Sequence, residues 1–273
     1  GARLTGLPEG LPVAAGTMDA FADAMSVGAR NPGDGVMIYG STMSIVVVTD
    51  RPYSSPQLWS NAHLFEGTYH FTSGTATSGS LTKWLRDMIG DVSFADLTSE
   101  AAAVEEGSHG LVVLPYFAGE RCPILDPLAR GTICGLTLNH GRGHLYRALL
   151  EGTAYAARHI LDAMAAAGTT PTRLFSVGGG TTGGLWPQIV SDVTGLAQDI
   201  TQQSMGACYG DAMLAGVASG IVERDAEWTS VARRVEPNPE AKRVYDELYA
   251  VYRELHPRTA DLQHRLAALQ TSQ

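Results

Sequence analysis

Basic residues are scarce in this sequence. Nineteen Lys and Arg face 28 Asp and Glu, giving a formal net charge of −9 and a pI near 5.3. A nucleic-acid backbone is bound through a basic face that displaces counterions, so DNA and RNA are poor partners for this chain. The same balance leaves a single nucleotide open, because backbone amides and a metal can hold one. Cysteine is nearly absent. Cys122, Cys134 and Cys208 are odd in number, far apart and without CxxC spacing, which reads as free thiols in a reducing cytoplasm. No apolar run approaches the about 18 residues of a membrane helix, and no charged-then-apolar leader opens the chain. The eight histidines have no metal-ligand spacing, and no Gly-x-Ser-x-Gly elbow occurs, which argues against a zinc site and a serine hydrolase. No internal repeat or low-complexity segment is present.

What is there is globular. Of 273 residues, 44% are hydrophobic and 17% charged, enough for one large domain with a real core. The chain opens on Gly1-Ala-Arg-Leu-Thr-Gly6 rather than Met, and reads as a segment cut from a longer polypeptide.

Local pattern predicts a short buried strand at Pro12–Gly16 and a helix from Asp19 to Ala29. Turn chemistry at 31–35 leads into a hairpin, Val36–Tyr39 and Ser44–Val48, whose tip is Gly40-Ser41-Thr42. Strands and loops fill Tyr53–Ser80. Helices are expected at Leu81–Ile89 and Asp96–Val104, a strand at Gly110–Tyr116, and a polar loop over Ala118–Gly131. The longest helical pattern runs from His140 to Ala167, with Leu145, Leu149, Ala156 and Ile160 on one face. Arg173–Val177 reads as a strand feeding the glycine run 178–184. A helix at Trp186–Val193, a strand at Gln198–Thr201, a helix at Tyr209–Gly220 and an amphipathic, charged tail over Asn238–Arg253 complete the pattern. Strands alternating with helices after an initial hairpin point to an α/β domain with a mixed sheet.

Four groups of residues could carry chemistry. Glycines between a strand and a helix let backbone approach a phosphate or an adenosine, so the run from Gly178 to Gly184 is a nucleotide-loop candidate. Gly178-x-Gly180-x-x-Gly183 also matches the dinucleotide fingerprint, with Asp199 near the distance of a ribose-binding acid. That rival has only one further clear strand after Val177, too few for a dinucleotide half-domain, and a ligand-free tight turn stays open beside both. The tip Gly40-Ser41-Thr42 offers two hydroxyls and backbone amides to a phosphate, or is simply a turn. Asp19, at the start of a helix, is either an end cap or a carboxylate kept ionised by the helix dipole and free to accept a proton. Arg121 and Arg130, in a polar loop, read as surface charges or loop-organising ion pairs, and Arg147 with Glu151 as a stabilising i,i+4 pair.

Several segments in register resemble the C-terminal domain of the FGGY carbohydrate kinases. They are Thr5-Gly-Leu-Pro-Glu-Gly-Leu-Pro-Val-Ala-Ala-Gly-Thr-Met-Asp19, Tyr39-Gly-Ser-Thr42, Gly79-Ser-Leu-Thr-Lys83-Trp84 and Leu114-Pro-Tyr-Phe-Ala-Gly-Glu-Arg-Cys-Pro123. Asp126-Pro-Leu-Ala-Arg-Gly131, Arg147-Ala-Leu-Leu-Glu-Gly152, Val177-Gly-Gly-Gly180 and Trp186-Pro-Gln-Ile-Val-Ser-Asp192 continue the match. The resemblance implies an actin-like ATPase (ribonuclease H-like) domain, a mixed sheet flanked by helices. It makes residues 1–273 the ATP-binding half of a two-domain sugar kinase whose N-terminal sugar-binding domain lies outside this chain. By the same resemblance Asp19 is the base that receives the sugar hydroxyl proton. Gly40, Ser41 and Thr42 hold the ATP phosphates; Gly79 and Lys83 approach the nucleotide; Gly179, Gly180 and Gly184 form the adenosine loop. Mg2+ would be held mainly by the other domain, and the run Gly119–Pro123 counts as architecture. Two departures stand out: many relatives read Gly-Thr-Ser where this chain has Gly40-Ser41-Thr42, and Gly183 and Gly184 replace polar side chains of some relatives. The implied substrates are ATP and a small sugar or polyol, with a lean to xylulose, and a homodimer stays open. The alternatives are a non-catalytic nucleotide-binding module and an NAD-binding oxidoreductase domain. The chain alone is expected to bind ATP weakly and turn over little sugar.

Overall fold

The computed structural model describes residues 1–90, 92–202 and 206–271. After a single-turn helix α1 (Ala2–Thr5), the chain runs without strand or helix to α2 (Asp19–Ser26). The strand expected at Pro12–Gly16 does not form. This stretch is largely exposed, with Val13 91% accessible, so no sheet neighbour takes its backbone hydrogen bonds. The hairpin follows as β1 (Asp34–Tyr39) and β2 (Met43–Thr49), then β3 (Trp59–Ala62) and β4 (Tyr69–Gly74). Helices α3 (Gly79–Ile89) and α4 (Phe94–Ala102) precede a two-stranded ribbon, β5 (Val112–Leu114) with β6 (Thr132–Cys134). The remainder is α5 (Arg142–Ala166), β7 (Arg173–Val177), α6 (Leu185–Thr194), β8 (Gln198–Thr201), α7 (Ala207–Ala218), β9 (Val231–Val235) and α8 (Lys242–Thr271).

The main sheet has the order β3-β4-β2-β1-β7-β8-β9. Its centre is β1, antiparallel to β2 and parallel to β7, with β8 parallel to β7. Period-2 alternation along β1 serves two cores. Val36 faces the side of α2 and packs with Ala24, Val27, Phe175 and Val177. Met37 and Tyr39 face the other side, into the larger core built on α5. Strand β9 is antiparallel to β8 and was not legible, since four of its five residues are exposed and it lacks an alternating apolar face.

Helix α5 is not the one-faced helix its pattern suggests. Residues Tyr146 to Ala157 are all buried, because the sheet, α4, α6 and β5 surround it. At Gly152 an added Cβ would come 2.7 Å from the Val113 carbonyl, so the small residue lets β5 cross the helix. The pair Arg147–Glu151 is therefore internal: the guanidinium Nε donates to Glu151 at 2.9 Å, and Glu151 also accepts from the Gly107 amide, the Ser108 hydroxyl and Tyr245 on α8. Burial pushes the Glu151 carboxyl up, against the pull of Arg147 and these donors. Arg130 bonds to Gln270 and to the carbonyls of Pro127 and Ala129, and neither it nor Arg121 makes a salt bridge among the described residues. The charged tail is α8, which extends past Arg253 through Pro257 and buries Tyr245, Tyr249 and Tyr252. No helix among the described residues is long and apolar enough to cross a membrane.

Candidate functional site

The tip Gly40–Thr42 does not project freely. Its carbonyls cap the start of α3: Ser78 and Ser80 amides donate to Ser41 at 2.9 and 3.1 Å, the Gly79 amide to Gly40 at 3.0 Å, and the Ser80 hydroxyl to Ser41 at 2.9 Å. The amides of Ser41 and Thr42 have no partner among the described residues, which leaves two adjacent donors at an exposed turn. Gly79 is required for this junction, because a Cβ there would lie 2.6 Å from the Gly40 carbonyl.

The glycine run after β7 approaches the same place from the other side. Gly178 has φ 97° and ψ 172°, a conformation open to glycine alone, and an added Cβ would meet the Tyr39 carbonyl at 2.5 Å. Residues Gly179–Thr181 form a 3₁₀ turn, and Gly184 caps α6. Arg233 on β9 donates to the Thr181 carbonyl at 3.0 Å and braces the turn.

Between the two turns lies a cleft of about 440 Å³. Gly40, Ser41, Gly79, Gly179 and Gly180 line it, brought together from three distant parts of the chain. Its walls also include Thr82, Phe94, Thr98, Tyr146, Thr182 and Trp186, none of which the sequence singled out for binding. The wall is rigid. Trp186 meets Tyr39 edge to face at 5.4 Å and donates its indole N–H to Thr153 on α5. The Tyr39 hydroxyl donates to Gln198, which also takes the Ser176 hydroxyl and donates to Pro187 and Ser191. Aromatic rings and glycine backbone in one lining, with unpaired amides at the adjacent tip, suit a ligand that has both a flat heterocycle and an anionic part.

The remaining predicted residues stand apart from that lining. Thr42 and Gly184 are next to lining residues without lining the cleft themselves. Lys83 turns outward and pairs with Asp87 one turn on, an exposed i,i+4 ion pair. Asp19 is exposed in the first turn of α2, on the opposite face of the sheet from the helices that wall the cleft, and accepts the Ala20 amide. Asp23, one turn later and partly buried, has its carboxyl pushed up by burial and by Asp19. Asp199 cannot serve a ribose: it is buried and bonded to Arg173 and Arg234 at 2.9 and 3.0 Å.

A second cavity, about 250 Å³, lies on the α2 side and is lined by Arg30, Phe175 and Trp228 among others. Its Arg30 guanidinium is already occupied by the carbonyls of Arg224, Asp225 and Ala226. The glycine-lined cleft is the better-equipped ligand site. The described residues gather no group of three His, Cys, Asp or Glu able to hold a metal.

Comparison with known proteins adds independent findings. A sequence model of the C-terminal domain of the FGGY family of carbohydrate kinases matches residues 35–219. The chain is 31% identical over 212 residues to the xylulose kinase of Escherichia coli (strain K12), covering 77% of this chain and 44% of that protein. It is 31% identical over 294 residues to the ribulokinase of Mycolicibacterium smegmatis, covering 99% of this chain and 52% of that one. The crystal structure of xylulose kinase from Rhodospirillum rubrum superposes with a TM-score of 0.86 at 36% identity, over 96% of this chain and 55% of that chain. The chain thus spans about half the length of these relatives.

Proposed function

The chain belongs to the FGGY family of carbohydrate kinases, and from that premise we propose that it is the nucleotide-holding half of an ATP-dependent sugar kinase acting on a pentulose such as xylulose. The mixed sheet with helices on both faces is the actin-like ATPase fold of such kinases. Residues 1–273 are then one C-terminal domain, and a preceding domain would supply most of the sugar site and the Mg2+ ligands.

The observation that supports this reading most is the convergence of Gly40–Ser41, Gly79 and Gly179–Gly180 on one cleft. In the proposed complex the adenosine lies against Gly179, Gly180 and the Tyr146 and Trp186 rings. The phosphates lie toward the free amides of Ser41 and Thr42. Phosphoryl transfer asks mainly for positioning and for compensation of charge at the phosphoryl oxygens, which such donors provide. The sugar oxygen bonds to the γ-phosphorus as the bond to the β-phosphate oxygen breaks and ADP leaves. Asp19 takes the hydroxyl proton. Its exposure at the start of α2 leaves the carboxylate open to a substrate arriving from outside this chain.

No Lys or Arg lines the cleft among the described residues, so this chain by itself leaves most of the triphosphate charge uncompensated. It should bind ATP weakly and phosphorylate little sugar alone. Calorimetry with ATP and with NAD tests the site: ATP is expected to bind more tightly, and preference for NAD would overturn the assignment. In the full-length protein Asp19→Ala should lower kcat by about 100-fold or more with ATP affinity little changed, in line with loss of a general base. Unchanged turnover would show that Asp19 is not the base, whereas ATP binding without turnover in the full-length wild type would favour a non-catalytic nucleotide-binding module.

A further inference from the structure

Glu120 is 4% exposed, an unusual place for a carboxylate without a cation bonded to it. Its Oε1 accepts the amides of Ala76 and Arg121, each at 2.7 Å. Its Oε2 is buried and has no partner. The turn that carries it is closed by paired backbone bonds between Glu120 and Asp126 at 2.8 and 3.0 Å. It is joined to the end of β4 by the Cys122 amide donating to Gly74 at 3.3 Å.

Ala76 lies in a strap, residues 74–80, that runs along the hairpin. Below it, Thr75 exchanges bonds with Met43, its amide donating at 2.8 Å and its hydroxyl accepting the Met43 amide at 3.1 Å. Above it, the Ser78, Gly79 and Ser80 amides hold the carbonyls of Gly40 and Ser41. The strap thus fixes the Gly40–Thr42 tip; its middle is held by the Thr77 hydroxyl donating to the Pro115 carbonyl, by the Thr75 hydroxyl donating to the Thr77 carbonyl, and by the Glu120 carboxylate, the one ionisable group among these contacts.

We propose that Glu120 is a positioning residue for nucleotide binding, setting the strap so that the Ser41 and Thr42 amides face the cleft. This rests on the reading of the cleft as a nucleotide site. A charged acceptor makes bonds about twice as strong as a neutral one, so the strap is held best when Glu120 is ionised. The groups that face it are Arg121 and Cys122 from its own turn, Tyr116 after β5 and Tyr252 from α8. Of these only Arg121 is charged near neutrality. Burial pushes the Glu120 carboxyl up to about 7, with the two amides and Arg121 pulling it partly back. Protonation near neutrality then loosens the strap, and nucleotide affinity falls as pH drops through that value.

The test measures KM for ATP and for the sugar from pH 6 to 8 in the full-length protein, comparing wild type with Glu120→Gln and Ser80→Ala. The wild-type KM for ATP should rise roughly 3- to 10-fold from pH 8 to pH 6, with the sugar KM steady. Glu120→Gln should show the raised value throughout, without the pH limb. Ser80→Ala, which loosens the far end of the strap, should raise KM for ATP and keep the limb. Titration of the nucleotide itself is common to all three proteins and cancels in the differences. A wild-type pH limb in Glu120→Gln overturns the inference while the kinase reading stands. If Glu120→Gln does not fold, calorimetry on the wild type decides: ATP affinity without an inflection near pH 7 overturns the inference. Failure of the wild type to bind ATP at any pH sinks the kinase reading, and the inference with it.

Discussion

His70 packs tilted on Phe21, ring centroids 4.0 Å apart, and His63 meets it edge-on at 4.2 Å. Both ring nitrogens of His70 are buried without partners, so its neutral form is strongly preferred in the fold. Burial, and then the charge of its neighbour His63, pushes the His70 pKa down to about 3; burial and Arg224 push His63 down to about 4. Both titrate near 6.5 in an open chain, so below that pH the unfolded form binds more protons. The stability these groups contribute is present above pH 6.5 and is lost as pH falls toward 3 or 4. Replacing His70 with Phe keeps the stack and removes the titration. In urea unfolding, the stability of His70→Phe relative to wild type should improve by about 2 kcal/mol between pH 7 and pH 5. An unchanged difference would mean that His70 is solvated in the fold.

Helix α2 carries Asp19, and its position depends on α7. An added Cβ at Gly210 would come 1.9 Å from the Ala22 carbonyl, so the two helices touch through backbone and no other side chain fits. Gly210→Ala must push α2 aside at a cost of about 1–3 kcal/mol, typical of overpacking. Because the cleft lies on the other face of the sheet, this variant should lose kcat while ATP affinity holds; loss of ATP binding instead would show that the two faces are coupled. Helices and strands with their own apolar period, such as α3, α6, β1 and β7, were legible in sequence within a few residues. Those whose character comes from surroundings were not. Pro12–Gly16 has strand-like residues and no sheet to join, β9 is an exposed edge without a pattern, and α5 is wrapped on all sides by elements far away in sequence. The site divided in the same manner: glycines announce themselves by type, whereas Phe94, Thr98, Tyr146 and Trp186 carry no motif of their own and become a lining only when the chain folds them around one space. Lys83 shows the converse, a residue matched by motif whose side chain pairs locally instead.

At the scale of the whole molecule, the internal pair Arg147–Glu151 ties α4, α5 and α8 together. Arg147 reaches the Ala101 and Val104 carbonyls at the end of α4, and both partners contact the Tyr245 hydroxyl on α8. Removing one partner strands the other charge in the core, so Glu151→Ala should cost about 3–5 kcal/mol in urea unfolding. Replacing both residues with apolar ones of similar volume, Arg147→Met with Glu151→Leu, should recover most of that loss. If the double variant is as unstable as the single one, the network is holding the fold through its hydrogen bonds to the loop at Gly107 and Ser108.

Strand β1 has its hairpin partner at once but meets β7 only after α5 has been made. A nascent chain leaving the ribosome therefore carries the Gly40–Thr42 turn long before it carries the glycine turn after β7, and until then its central strand has one open edge. The cleft is complete only where β7 pairs with β1 and Gly178 lies against the Tyr39 carbonyl, so closing that open edge and completing the cleft are one and the same contact.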